Sequence, residues 1–135
     1  MTRTLFAVFL FCVAASAQKV TKVPASPTSA ASGQEMYRSY CASCHGLDGK
    51  GNGPARPALM TAPTDLTQLA RRNGGRYPEM QVFNIIAGDG NIPAHGSKDM
   101  PVWGPLFSRL SESDAPKVNL RLRNLTKYVE SLQVH

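Results

Sequence analysis

The sequence predicts an all-α domain. Apolar residues recur at helical spacing, and no segment shows the apolar–polar alternation that marks a half-buried strand. The chain has 135 residues, which is the length of one domain, and a hydrophobic share of 42%, which is enough for one core. Ten prolines and eleven glycines interrupt the helical segments, so we expect three to four helices joined by long loops.

Residues 1–17 predict a secretory signal peptide. Arg3 supplies a positive charge, residues 5–15 form an apolar run, and residues 15–17 read Ala-Ser-Ala, a small-residue cleavage pattern. The apolar run is shorter than the roughly 20 residues that span a bilayer, so an uncleaved membrane anchor is the less favoured alternative. Cleavage removes Cys12 and one positive charge, which changes the formal net charge from +6 to +5. We therefore expect a periplasmic protein without a transmembrane anchor.

The domain is expected to begin after a leader. Residues 18–31 are rich in Ala, Ser, Thr and Pro and show no period, which predicts a flexible leader. Residues 32–135 form the predicted domain. Its first helix is expected over residues 33–41, because Ser32 and Glu35 form the pattern of a capping box.

The middle of the chain is predicted to be mostly loop. Residues 46–63 contain four glycines and three prolines, and residues 89–110 contain three prolines, so neither is expected to form regular structure. Between them we expect a short helix through Ala70, and a second helix that begins at Pro78 and stops at Gly88. The apolar stripe predicted for the second helix consists of Met80, Phe83 and Ile86.

A long amphipathic helix is predicted at the end of the chain. It starts near Asp114, with Pro116 in its first turn. Apolar residues then recur with spacings of 4, 3, 4 and 3, which is one face of a helix that packs on the core. They are Val118, Leu122, Leu125, Val129 and Leu132. Charged residues such as Arg121 and Arg123 are expected mostly off this face.

Residues 41–45 read Cys-Ala-Ser-Cys-His, which is the C-x-x-C-H pattern of c-type haem attachment. Two thiols at this spacing can form thioether bonds to the two vinyl groups of a haem, and the adjacent imidazole can then bind the iron. A small all-α domain with so much loop also needs something to fill its middle. We therefore predict one covalently bound haem c, held by Cys41, Cys44 and His45.

Two other kinds of site use a C-x-x-C pair. A thioredoxin-type redox couple lies in a βαβ setting, and no parallel-strand pattern surrounds Cys41 and Cys44. A structural zinc site needs four ligands, and only His95 and His135 remain as additional nitrogen ligands, with no second cysteine pair. Both alternatives are less favoured than haem attachment.

The sixth iron ligand is predicted to be Met100. Methionine is a common axial ligand in electron-transfer haem proteins, where it raises the reduction potential. Met100 is followed by a proline in a loop, which combines reach with stiffness, whereas Met36 and Met80 fall on helical stripes and are expected in the core. Two loop residues, Met60 and His95, remain open as alternatives.

Taken in order, these features resemble the class I c-type cytochromes, the bacterial proteins with a single haem. The similarity covers residues 33–132. It rests on the aromatic-bearing helix before the C-x-x-C-H motif, the Gly-rich stretch 46–54, the Pro-Ala-Leu sequence at 57–59, the loop 99–104 and the closing helix. The resemblance implies the cytochrome c fold, with helices and long loops wrapped around one covalently bound haem. It also implies one-electron transfer in a respiratory chain rather than enzymatic turnover.

The resemblance assigns roles to residues in the first loop. Pro57 matches the proline whose carbonyl oxygen accepts a hydrogen bond from the second ring nitrogen of the haem histidine, here His45, and Pro54 is a possible substitute. Such a bond fixes the tautomer and orientation of the imidazole. Leu59 matches a residue that packs on the haem face.

Further contacts are expected around the pocket. The resemblance places Tyr128 where the last helix meets the first, near Gly33. Side-chain chemistry alone makes Trp103, Arg76 and Asn73 candidates for the pocket rim or for contacts with the haem propionates.

The charge of the chain points to the kind of partner. Fifteen Lys and Arg residues stand against nine Asp and Glu, which favours redox partners with an acidic docking surface, such as an oxidase or another respiratory complex. No basic run is present, so nucleic acid is not expected. Two other functions stay open: a five-coordinate or bis-His haem protein that senses or converts a small ligand, and a fixed electron-transfer subunit of a larger dehydrogenase or oxidase complex.

Overall fold

The computed structural model describes residues 25–88 and 103–134. These residues form helices and loops without a strand, which confirms the all-α prediction. The predicted signal peptide and the first part of the leader lie outside the described residues, as do Met100 and His95. No helix of the described part is long and apolar enough to cross a membrane.

Helix α1 spans Gly33–Tyr40 and starts where the capping pattern predicts. The side-chain oxygen of Ser32 accepts a hydrogen bond from the backbone N–H of Glu35 at 3.1 Å, which satisfies one donor that every helix start leaves unpaired. The inward face of α1 consists of Met36, Tyr37 and Tyr40, all of them buried.

Helix α2, Ala42–His45, follows α1 with Cys41 between them. It ends at Gly46, whose φ of 78° is a backbone conformation that glycine adopts without strain. The loop after α2 folds back across this short helix: the backbone N–H of Gly51 donates to the carbonyl of His45 at 2.8 Å. One 3₁₀ turn, Arg56–Ala58, interrupts this loop.

The next helical segment starts at Asp65, whose side chain accepts from the backbone N–H of Thr67 at 2.9 Å. A 3₁₀ turn, Leu66–Gln68, leads into α3, Leu69–Arg72. The helix therefore ends two residues later than predicted, just before the Asn-Gly-Gly turn.

Helix α4 spans Glu79–Ala87 and stops at Gly88, as predicted. Its predicted apolar stripe was wrong in part, because α4 buries Val82 and Ile86, while Met80 is 67% exposed. On a helix with 3.6 residues per turn, Met80 lies about 200° from Val82 and faces away from the core.

Helix α5, Gly104–Leu110, corrects the prediction of a loop through residue 110. Its proline lies in the first turn, where a missing N–H costs no intrahelical bond. A Cβ atom at Gly104 would collide with the carbonyl oxygen of Ala87. α5 therefore starts directly against the end of α4.

Helix α6, Ala115–Ser131, confirms the closing amphipathic helix and its Asp114 cap. It packs against α1, α4 and α5, so it is the central element of the core. Its buried residues include the predicted Leu122, Leu125 and Val129, and also Thr126 and Arg121. The burial of Arg121 corrects its placement off the packed face.

Residues 25–31, the last part of the predicted leader, make hydrogen bonds with the helices. The hydroxyl of Tyr40 donates to the carbonyl of Ser26 at 2.7 Å, and the side-chain amide of Asn124 donates to the carbonyl of Ala30 at 2.9 Å. Backbone carbonyls make both bonds, so composition gave no sign of them. The segment is held against α1 and α6.

Candidate functional site

The Cys-x-x-Cys-His motif lies at the corner between α1 and α2. The backbone N–H groups of Cys44 and His45 both donate to the carbonyl of Cys41, at 3.1 and 2.9 Å. One tight turn therefore carries both thiols and the imidazole. Neither cysteine is in a disulfide, and both are partly exposed, whereas His45 is buried.

The imidazole of His45 is oriented by a backbone carbonyl. Its Nδ1 lies 3.1 Å from the carbonyl oxygen of Thr64. A carbonyl can only accept, so Nδ1 is the donor in this bond. In the neutral ring the in-plane lone pair then lies on Nε2, and this is the form that binds a metal. The carbonyl of Thr64 thus holds the ring nitrogen for which the resemblance assigns Pro57 as the partner, and the role of Pro57 stays a prediction.

An apolar cleft opens beside this histidine, with about 530 Å³ of empty space that is partly continuous with solvent. Its walls come from α1 and α2, the segment 64–69, α4 and α6. The lining residues are Tyr37, Cys41, His45, Thr64, Leu66, Leu69, Val82, Ile85, Ile86, Leu125 and Val129. A concave, mostly apolar cleft of this kind is typical of sites that hold organic cofactors.

Burial raises the pKa of two groups that line the cleft, the Cys41 thiol and the Tyr37 hydroxyl. It raises the pKa of the Cys41 thiol from 9.0 to about 12, with a smaller contribution from the charge of Cys44. Burial is also the main cause that raises the pKa of Tyr37, whose hydroxyl donates to the carbonyl of Gly46 at 2.7 Å. A thioredoxin-type couple depends on a thiol with a lowered pKa, so Cys41 has the opposite environment.

The donor set and the cleft fit the predicted haem. The two thiols are positioned on one turn, the imidazole of His45 is oriented through Nδ1, and the walls are mostly apolar. Haem is a large, mostly apolar macrocycle, so these walls match its faces. Cys41, Cys44 and His45 are the residues that would hold it.

Three other predicted site residues are not among those that line the cleft: Pro57, Leu59 and Trp103. Pro57 is exposed in the 3₁₀ turn, and Leu59 follows that turn, half-buried. Trp103 packs on Tyr40, with ring centroids 5.3 Å apart, and is partly buried. The haem contacts predicted for these residues remain predictions, as does iron binding by Met100.

Asn73 and Arg76, the two further candidates for the pocket rim, contact each other. The side-chain amide of Asn73 donates to the carbonyl of Arg76 at 2.8 Å, and both residues are exposed. The methionines separate clearly: Met36 is fully buried, as predicted, and Met60 is 95% exposed.

Sequence reasoning missed most of the cleft walls. Tyr37 lies one helical turn before Cys41, a spacing that puts both residues on one face of α1 and could have identified it. Ile85 and Ile86 carried only a generic core signal, and Thr64 acts through its backbone, which no side-chain pattern reports.

A family model matches most of the described domain. The family model described as "Cytochrome C oxidase, cbb3-type, subunit III" matches residues 28–118, which include the whole C-x-x-C-H motif. No curated protein and no solved structure matches the chain.

Proposed function

The chain belongs to the c-type cytochrome family described as cytochrome c oxidase, cbb3-type, subunit III, and on that premise we propose that it transfers single electrons in a periplasmic respiratory chain. Its all-α arrangement is the cytochrome c fold. The proposal includes one haem c, joined covalently to Cys41 and Cys44, with His45 and Met100 as axial ligands.

The observation that carries this proposal is the corner between α1 and α2. It combines a C-x-x-C-H motif, two thiols outside any disulfide, and a histidine whose Nδ1 lies 3.1 Å from a carbonyl, all beside an apolar cleft. Each of these features serves covalent attachment and axial ligation of haem.

The residues of the chain have distinct tasks in this function. When bound, haem c supplies an iron that alternates between the ferric and ferrous states by one electron. The carbonyl of Thr64 keeps His45 in one tautomer and one orientation. Leu69, Val82 and Leu125 give the cleft apolar walls, and an apolar surrounding favours the form with lower charge.

Met100 is proposed as the sixth ligand, because a thioether ligand closes the remaining position and raises the potential. We expect wild-type protein, produced in a periplasm with haem-maturation machinery, to give a low-spin c-type spectrum with the far-red sulfur-to-iron band. The Met100→Ala variant should lose that band completely and bind carbon monoxide when reduced.

The matched controls are Met60→Ala and His95→Ala, which should keep the band and stay insensitive to carbon monoxide. A wild-type spectrum that is high-spin, or that changes with carbon monoxide, contradicts His/Met ligation. In that case the protein is a five-coordinate haem protein, and the sensing or catalytic function takes the place of electron transfer.

The family description favours a second candidate, a fixed subunit of an oxidase complex. Electron transfer is then unchanged, but the protein does not diffuse. Purification under mild detergent from the native membrane distinguishes the two: a complex subunit co-elutes with oxidase subunits, and a diffusible carrier is recovered in the periplasmic fraction.

The redox partner is proposed to present an acidic docking surface. The formal net charge of +6, or +5 after signal cleavage, attracts such a surface over distances of about 10 Å at moderate ionic strength. Electron transfer to the partner that barely changes with ionic strength would show that the charge has another cause.

A further inference from the structure

Arg121 is a buried cation that none of the tasks above uses. It is 7% exposed, although it lies on α6 among charged residues that face solvent. Its guanidinium donates to Ser111 Oγ and Thr28 Oγ1, each at 3.1 Å, and approaches Met36 Sδ at 3.8 Å. All three acceptors are neutral.

No carboxylate neutralises this charge in residues 25–88 and 103–134, where the only ion pair joins Lys117 and Asp114. Arginine stays protonated in proteins. Burying a guanidinium without a counter-ion is costly, and a neutral residue could tie the same elements together more cheaply. The burial of Arg121 therefore calls for a role that depends on its charge.

A directional chain of hydrogen bonds fixes the guanidinium. The single hydroxyl proton of Tyr40 goes to the carbonyl of Ser26 at 2.7 Å. Thr28 Oγ1, 2.9 Å from the Tyr40 oxygen, must then donate to that oxygen while it accepts from Arg121. The chain runs from Arg121 through Thr28 and Tyr40 to Ser26, and Tyr40 directly precedes Cys41.

Arg121 is connected to the cleft wall in two ways, along α6 and through Met36. Leu125 and Val129, which line the cleft, follow Arg121 on the same helix by one and two turns, a rise of about 6 and 12 Å. Met36, in contact with Arg121, is next to Tyr37 in the cleft wall. Solvent and salt screen a charge in such surroundings only weakly.

We propose that Arg121 is a fixed internal cation that raises the reduction potential of the haem bound in the adjacent cleft. This inference rests on the proposed electron-transfer function. A positive charge stabilises the ferrous state, which carries one more electron. At a separation of about 12 Å and an effective permittivity of about 20, one unit charge changes the ferrous-to-ferric ratio by about tenfold.

The test is a redox titration of holoprotein. Arg121→Gln and Arg121→Met remove the charge, and we expect each to lower the ferrous-to-ferric ratio at the wild-type midpoint by about tenfold, which is ~59 mV for one electron. Arg121→Lys keeps the charge and should stay within about twofold of wild type. The shift should be the same at low and high salt, because the charge is buried.

Arg123→Gln is the matched control, since it removes an exposed charge two residues away on the same helix. It should change the ratio by less than about twofold, and less still at high salt.

Urea unfolding of each variant measures stability separately. Thr28→Val should lower stability through the broken chain of hydrogen bonds but leave most of the potential, because the charge remains.

Ser111→Asp extends the test to a chain that keeps Arg121. It puts a carboxylate beside the guanidinium and should lower the ratio in the same direction, so it decides the matter if neither charge-removing variant folds. Folded variants with the wild-type midpoint overturn the inference. Arg121 then has only a structural role, through its hydrogen bonds. Wild-type protein without a reversible one-electron haem couple overturns the proposed function instead, so the two failures are distinguishable.

Discussion

Single residues in this protein act largely through burial and backbone carbonyls. Tyr77 is an example: it is partly buried, and its hydroxyl donates to the carbonyl of Thr126 at 2.9 Å. Burial raises the pKa of Tyr77, with smaller contributions from the negative charges of Glu130 and Glu79. The same burial effect acts on Tyr37 in the cleft wall.

Tyr77 gives a pH prediction. The unfolded chain releases the phenol proton near pH 10, while the folded chain retains it to higher pH, so the stability contribution is complete below about pH 10 and is lost as the pH rises. Tyr77→Phe should cost about 1 kcal/mol at pH 7 through the lost hydrogen bond. Above pH 10, the unfolding free energy of Tyr77→Phe should fall less steeply with pH than that of wild type.

Urea unfolding of holoprotein between pH 7 and pH 11 measures both effects. Parallel curves for wild type and Tyr77→Phe above pH 10 would contradict the raised pKa.

For single residues, the sequence predicts the roles that depend on the type and spacing of side chains. Cys41, Cys44 and His45 are recognisable because the chemistry of attachment requires those side chains at that spacing. The contact between Thr64 and His45 could not be predicted, because any residue can offer a carbonyl and only the path of the loop decides which one reaches the ring. Arg121 was misplaced because periodicity cannot report neutral hydrogen-bond acceptors on other segments.

Among the elements, α1 and α6 approach each other most closely at Gly33. A Cβ atom there would collide with the carbonyl oxygen of Asn124 and come within 2.9 Å of Tyr128 Cβ. The rings of Tyr37 and Tyr128 then pack with centroids 5.2 Å apart. The crossing confirms the predicted contact near Gly33, and it sets the position of α6, which supplies two residues of the cleft wall.

Gly33→Ala tests this crossing. The added methyl must push α6 away, because backbone atoms cannot rotate aside, and we expect a loss of about 1–3 kcal/mol in the free energy of unfolding. Gln34→Ala, on the exposed side of α1, is the control and should change it by less than about 0.5 kcal/mol. Equal stability of the two variants, measured by urea unfolding, would refute a close crossing.

The helices that could be predicted best are those with clear caps and long apolar stripes. α1 and α6 carry caps and long apolar stripes, and both begin where the sequence predicts. α5 was missed because Gly-Pro signals a loop, yet a proline is tolerated in the first turn of a helix. In α4 the correct face depends on packing against α6, and a nine-residue helix shows too few turns to define it from periodicity.

For the molecule as a whole, two exposed positive charges follow the cleft wall closely in sequence. Arg71 and Arg72 are exposed at the end of α3, two and three residues after Leu69 in the cleft wall. Which distant segments combine into the cleft could not be predicted, because it depends on loops that only tertiary packing brings together.

If Arg71 and Arg72 lie near the entrance of an anionic reagent, they should raise its rate of reaction with the haem. Replacing both Arg71 and Arg72 with Gln should slow oxidation of the reduced protein by ferricyanide a few-fold at low ionic strength. Replacing Arg123 and Lys127 on α6 removes the same charge and should have a smaller effect. At 1 M salt, stopped-flow measurements should show no difference in rate between the two double variants, because charges are then screened within about 3 Å. Equal effects of the two pairs would show that only net charge matters.

The attachment of residues 25–31 to α1 and α6 also limits how far the domain can travel. Only residues 18–24 separate the predicted signal peptide from this attached segment, and seven residues span at most about 25 Å. If residues 1–17 stay in the membrane, the domain is confined to a shell of roughly its own size above the bilayer. A neighbouring membrane complex would then meet it at a millimolar effective concentration, whatever the amount of protein in the periplasm.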